Sequence, residues 1–335
     1  MSEYFDERKN MPVPEPPVYN TYVPYAPDPP ERVWLHIVLF LATVYTTTFA
    51  GMLMSDLQGQ IPPDDWTVLF DPRYLISGLP FSITLLAILG IHEMGHYLAA
   101  RHWGVKATLP YFIPFPLSLI GTLGAVIKLR SRMPNRRALI DIGAWGPLSG
   151  FVVAVVALGI GLTMSEVVAT RGIPAGSMSL GDSLLSAWIG QLVVGDLPEG
   201  YDVMLHPIAF AGWLGLFVTV LNLLPMGQFD GGHIVYAIFG HRHILISRLT
   251  LIGLVLFWAF GPPYDWWHEP SMFSAWETTR WPGWLIWMLM ALFMGRQHPP
   301  TENPFVELDP PRRWIGYISL AIFVLCFIPI PIQVH

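Results

Sequence analysis

His92, Glu93 and His96 stand at H-E-x-x-H spacing within Ile91-His92-Glu93-Met94-Gly95-His96. On a helix, a four-residue interval places two side chains on one face. Two neutral imidazoles so placed can share one Zn²⁺, with Glu93 as general base toward water. The surrounding residues are apolar, and a carboxylate inside a transmembrane helix costs about 2.5 to 3.5 kcal/mol at the bilayer centre unless it faces a wet or paired site. Glu93 therefore reads as a functional residue. A packed polar triplet that bonds to neighbouring helices is the structural alternative.

A catalytic zinc needs a third protein ligand and one open position. Cys326, the single cysteine, falls near the far end of the last apolar stretch and is not a candidate. The segment Asn222-Leu223-Leu224-Pro225-Met226-Gly227-Gln228-Phe229-Asp230-Gly231-Gly232-His233 offers one carboxylate among apolar residues. Pro225 and the glycines break a helix there, which membrane proteins tolerate beside a cavity or a partner. Asp230 is thus the expected third ligand; a turn or cap role is its alternative, since Asp-Gly is a common turn pair. Asn222 is a candidate to bind a substrate carbonyl or orient water, or to bond between helices. His233 is a candidate to support a ligand from behind, or to face the headgroups.

These residues need elements that hold them in lipid. Of the 335 residues, 53% are apolar and only 13% charged, and mean hydropathy is +0.48. That charge is too little to coat a water-facing surface, where about 25% is usual. Windows long enough for a ~30 Å hydrocarbon core fall near 34–54, 77–103, 138–164, 207–226, 246–263, 281–295 and 314–332, giving six or seven spans. The window at 281–295 is the shortest. If the N-terminus is inside, fifteen of the eighteen Lys and Arg lie on inner segments, as the positive-inside rule requires. Seven spans would leave His335 outside. His92, about 20 Å into its helix at 1.5 Å per residue, then opens toward the Arg-rich side.

The paired pattern, His92-Glu93-Met94-Gly95-His96 followed by Asn222-Leu223-Leu224-Pro225 and Asp230-Gly231, resembles the site-2 protease family of intramembrane zinc metalloproteases over residues 77–240. The resemblance implies that His92, His96 and Asp230 bind one zinc per chain and that Glu93 is the catalytic acid/base. Phe229 stands where the family often has Leu, a change of one apolar residue for another.

Other segments fill in the expected architecture. Pro110, Pro114 and Pro116 disfavour a helix over 107–129, and cationic residues flank that segment on both sides, so a re-entrant or interfacial hairpin is expected. The resemblance implies a sheet dipping toward the zinc, with an edge free to pair with an unwound substrate. Gly143, Gly146, Ser149 and Gly150 let helices approach closely. Residues 165–206 read as an outer loop with an interfacial helix near Leu184–Val194, too short for a PDZ domain.

The expected fold class is an all-α polytopic membrane protein of six to seven transmembrane helices with a small re-entrant β-hairpin. It comprises a disordered cytoplasmic tail at 1–33, with eight prolines and no signal-peptide pattern, and a protease domain at 34–335. The expected location is a bacterial inner membrane with the N-terminus cytoplasmic. Expected partners are the lipid bilayer and a membrane-protein substrate with a transmembrane helix. With net charge -6 and no basic tract, nucleic acid is not expected. The leading function is a zinc metalloendopeptidase cleaving transmembrane segments of single-span proteins. A divalent-metal transporter and a non-cleaving pseudoprotease are the alternatives.

Overall fold

The computed structural model describes residues 31–55, 71–170, 178–260, 283–293 and 298–334. Residues 1–30 of the expected tail lie outside the described residues. The protein is mostly helical. Among the described residues, four stretches are long and apolar enough to cross a membrane: Val33–Leu53, Pro72–His102, Arg136–Thr163 and Asp230–Ala259. In chain order they contain α1 (Val33–Leu53), the short α2 (Pro72–Leu75) leading through a 3₁₀ turn into α3 (Leu79–His102), α4 (Arg136–Thr163), and α7 (Asp230–Phe239) with α8 (His243–Phe260). The remaining helices are shorter: α5 (Leu184–Val193), α6 (Pro207–Asn222), α9 (Gly283–Phe293) and α10 (Pro310–Cys326). The expected windows at 207–226, 281–295 and 314–332 thus hold helices of 16, 11 and 17 residues.

Helices α3, α4 and α6 form the centre. Leu85, Ile88, Leu139, Ala144, Ala154, Leu216 and Val220 are buried in one continuous cluster. Small residues set the spacing. A Cβ on Gly161 would overlap the Ala209 backbone, and one on Gly212 would overlap the backbone of Leu158, so α4 and α6 meet nearly backbone to backbone. The chain starts α4 at Asn135, whose side chain accepts from the Arg137 and Ala138 amides, satisfying groups a helix start leaves unpaired. Pro147 lies inside α4 without ending it.

A hairpin occupies the proline-rich segment. β1 (Tyr111–Pro114) pairs antiparallel with β2 (Thr122–Val126), and the register shifts between Phe112 and Pro114. The expected helix near 184–194 is present as α5. Two further strand pairs correct the all-helical expectation elsewhere. β3 (Glu166–Ala169) pairs with β5 (Tyr201–Met204), and β4 (Met178–Leu180) pairs with β6 (Ile332–Val334). Strands of three or four residues with no long alternation leave no sequence signal. Only pairing across distant chain segments reveals them.

Candidate metal centre

Helix α3 presents His92 and His96 from one face, and both are buried. Asp230 arrives from a different place than the end of a continuous span. α6 stops at Asn222, the chain turns through Leu223–Phe229, and Asp230 is the first residue of α7. The cap position falls to Phe229, which makes no side-chain cap bond. The Asp230 carboxylate therefore does not close its own turn; one oxygen lies 3.3 Å from His96 Nε2 and 3.7 Å from His92 Nε2. The two Nε2 atoms are 3.1 Å apart.

These separations test whether a metal fits. A tetrahedral zinc with N and O ligands at about 2.0 to 2.2 Å holds its ligand atoms about 3.3 to 3.6 Å from one another, and the three distances bracket that range. His92, His96 and Asp230 are placed to bind one metal ion. The donor chemistry agrees. His96 Nδ1 lies 2.6 Å from the Ile142 carbonyl, an acceptor only, so Nδ1 carries the proton and Nε2 keeps its lone pair toward Asp230 and His92. Such a bond fixes the tautomer and orientation of a metal-binding histidine.

Glu93 is buried, with Oε1 3.9 Å from His92 Nε2, and the Ile127 backbone amide is close to its carboxylate. Ile127 follows β2 directly, so the hairpin ends at Glu93. Asn222 Nδ2 lies 3.4 Å from His92 Nε2, at the rim of the same cluster.

His233 has another neighbour. His298 Nδ1 lies 2.6 Å from the Pro299 carbonyl, to which it donates; its Nε2 accepts from His233 Nδ1, also at 2.6 Å. Burial, with His233 beside it, pushes the His298 imidazole down to about 3, so it is neutral at pH 7. Tyr236 stacks on the His298 ring at 4.4 Å. The chain after α9 thus locks His233 from behind. His298 was visible in the sequence only as part of Gln297-His298-Pro299-Pro300, with no spacing that ties it to His233.

The small residues of α4 bear directly on the centre. A Cβ on Gly146 would overlap the His96 imidazole, and one on Gly150 would press on His92 at 3.1 Å. Across the same contact, a Cβ on Gly95 would lie 2.5 Å from the Trp145 carbonyl. On α7, Gly231 and Gly232 sit against the carbonyls of Leu223, Met226 and Gly227 with no room for a side chain. Read in the sequence as packing alone, Gly146 and Gly150 also make the space that the two imidazoles occupy; their i, i+4 spacing, matching that of His92 and His96, is the signal that could have shown it.

The model of peptidase family M50 matches residues 80–260, more than half of the chain and the whole of this centre. The chain belongs to that family, the site-2 proteases. Similar proteins include the probable zinc metalloprotease EGY1, chloroplastic, of Oryza sativa subsp. japonica, 29% identical over 328 residues covering 90% of this chain and 52% of the relative. The Arabidopsis thaliana protein of the same name is 28% identical over 320 residues, covering 90% of this chain and 54% of its own. The probable zinc metalloprotease EGY2, chloroplastic, of Arabidopsis thaliana is 33% identical over 189 residues, 56% of this chain and 33% of the relative. The chain spans about half the length of the EGY1 relatives. With family and apolar helices together, this is an integral membrane protein. The chloroplastic names of the relatives run against the bacterial inner membrane expected from the sequence, and an integral membrane location is what stands.

Proposed function

We propose that this chain is an intramembrane zinc metalloendopeptidase that cuts transmembrane segments of single-span membrane proteins, as in regulated intramembrane proteolysis. The observation that carries the reading is the triangle of His92, His96 and Asp230 ligand atoms with the Glu93 carboxylate beside it, inside a chain of the M50 family. In this proposal His92, His96 and Asp230 hold one zinc, Glu93 is the catalytic base, and Asn222 and His233 support the centre. Zinc held there supplies Lewis acidity toward a carbonyl and acidifies water. Glu93 takes the proton from the attacking water and returns it to the departing amine nitrogen. The Ile127 amide holds Glu93 in place between these two transfers, and Asn222 stands where it can steady a substrate carbonyl.

The hairpin is proposed as re-entrant, with its Leu117, Leu119 and Leu123 side chains exposed to the bilayer rather than to water. β1 and β2 form a two-stranded sheet, and the chain from β2 leads directly to Glu93. A substrate span must unwind before its amides are open to hydrolysis, because a helix in lipid satisfies them internally, and a strand edge beside Glu93 receives the unwound chain. Gly, Pro or Asn near the cut lowers the cost of that unwinding. The protease body is proposed over 34–335, its core over 77–240, with the N-terminus cytoplasmic and seven crossings. The metal-transport reading loses ground because nothing in passage of an ion calls for a buried carboxylate held beside the ligands by a strand. The non-cleaving reading loses ground on the same Glu93.

Quantitative proteomics of single-span proteins, comparing the native chain with Glu93→Ala, tests the proposal. Uncut substrates are expected to accumulate in the variant. An unchanged profile, with the variant protein folded and present at native levels, would refute it.

A further inference from the structure

On a flank of α3 beside the face that carries the metal ligands, a groove of about 530 Å³ runs between α3 and α4. Ile91, Met94 and Leu98 form one wall and Trp145 the other. Its floor is the closest approach of the two helices, at Gly95, where Ser149 also donates to the Ile91 carbonyl. Leu98 and Trp145 are exposed, and both helices are of membrane-crossing length, so the groove opens onto lipid.

Two features define what fills it. The first is length. From Ile91 to Trp103 the groove follows α3 for about 18 Å at 1.5 Å per residue, close to the depth of one leaflet, half of a ~30 Å core. The second is the chemistry of its end. His102 and Trp103 line that end, and the exposed Arg101 directly precedes His102 on α3, next to that end though not part of its lining. The Arg101 guanidinium meets the Tyr97 hydroxyl at 3.2 Å and, among the described residues, ion-pairs with no carboxylate. Asp141 also lines this end, but its oxygens are taken by Arg312 at 2.9 to 3.0 Å and by the Trp103 indole at 2.9 Å. Among the described residues, a cation is left beside the headgroup layer with no acid paired to it.

We infer that this groove binds one phospholipid with an anionic headgroup, its acyl chain along Met94, Leu98 and Trp145 and its phosphate at Arg101 and His102. The site flanks the turn that carries His92 and His96. It rests on α3 and α4 spanning the membrane, not on the proteolytic reading, and its test does not involve cleavage.

The full chain, purified in neutral detergent, is titrated with phosphatidylglycerol or phosphatidylcholine of matched acyl chains, and retained lipid is counted by native mass spectrometry. One retained phosphatidylglycerol per chain is expected, favoured about fivefold, as one Arg near an anionic surface provides. The preference should fall to parity in Arg101→Gln/His102→Gln. Leu98→Trp, which fills the groove at an exposed position, should lose the bound lipid, and circular dichroism reports whether each variant is folded. Equal retention of both lipids by the native chain, or undiminished retention by folded Leu98→Trp, overturns the inference. In phosphatidylglycerol nanodiscs carrying a single-span peptide, a photo-crosslinker at position 98 that couples to lipid supports it, and one that couples to the peptide overturns it.

Discussion

Gly146 carries no chemistry of its own, yet the absence of its Cβ is what admits the His96 imidazole. Gly146→Ala suits a helix, since Ala is the better helix former, but it must displace that ring from its 2.6 Å bond to the Ile142 carbonyl. Metal affinity is expected to fall about tenfold or more, the usual loss when support behind a ligand is disturbed. Chelator competition on purified protein with unchanged helical content measures it; native affinity would show that the ring has room to move. The ligands themselves give a sharper contrast. His92→Ala, His96→Ala and Asp230→Ala should each lose most of the zinc while Glu93→Ala keeps it, because a base beside the metal is not a ligand. Metal analysis decides, and full zinc in Asp230→Ala would remove Asp230 from the set. That His92 and His96 share a face, with Glu93 beside them, was legible in their spacing, and Asp230 was legible as a lone carboxylate among apolar residues. The Ile142 carbonyl was not, because a backbone acceptor leaves no mark in residue type.

The hairpin shows what an element adds to those residues. Gly124 sits in β2 with φ of +99° and open space where a Cβ would go. Its amide donates to Thr122 Oγ1 at 3.0 Å, and that hydroxyl donates to the Ile113 carbonyl at 2.8 Å. This local kink accompanies the register shift between β1 and β2, and three residues after Gly124 the chain reaches Ile127, whose amide is close to Glu93. Gly124→Ala meets no clash, only the cost of a conformation that L residues avoid, about 1 to 2 kcal/mol. A folded protein with native zinc content and a kcat/KM for a single-span substrate reduced about tenfold is expected, since 1.4 kcal/mol is a factor of ten. Native kcat/KM would separate the shape of this strand from the reaction. Prolines announced that 107–129 is not helical, and that much was legible. The pairing register was not, because it depends on which residue takes the positive φ.

Across the whole molecule, contacts between distant segments fix which helix ends lie together. His206 N donates to Ser165 Oγ at 2.9 Å, so the start of α6 is beside the end of α4. Arg136, at the start of α4, donates to the Ala237 and Ile238 carbonyls at the end of α7. α6 and α7 together therefore run alongside α4, with Asp230 at the break between them. In the proposed topology these two helices make one broken crossing, α8 the next, and a 16-residue α6 then suffices. Trp284 at the start of α9 donates to the Pro329 carbonyl at 2.9 Å, and Asn303, after α9, bridges to Asn135 before α4. α9 thus runs opposite to α10, and in the proposed topology the weak window at 281–295 is a crossing of 11 residues, about 16 Å, which calls for a locally thinned bilayer. Finally, β4 pairs with β6, which puts the loop after α4 and the segment after α10 on one face. An even number of crossings must separate them, and in the proposed topology α6–α7, α8, α9 and α10 supply four, so the proposed seven crossings agree with this pairing where six would not. Hydropathy alone could not decide, because α9 is too short to score and the strands that tie the ends together are too short to read. The consequence is measurable by single-cysteine labelling in a Cys326→Ser background. Leu185→Cys and Gln333→Cys should both react with an impermeant reagent on intact cells, and Arg132→Cys only after lysis. Opposite behaviour of positions 185 and 333 would exclude seven crossings. Joint labelling of both only after lysis would keep the count but invert the chain, moving the opening of the metal centre to the other face of the membrane.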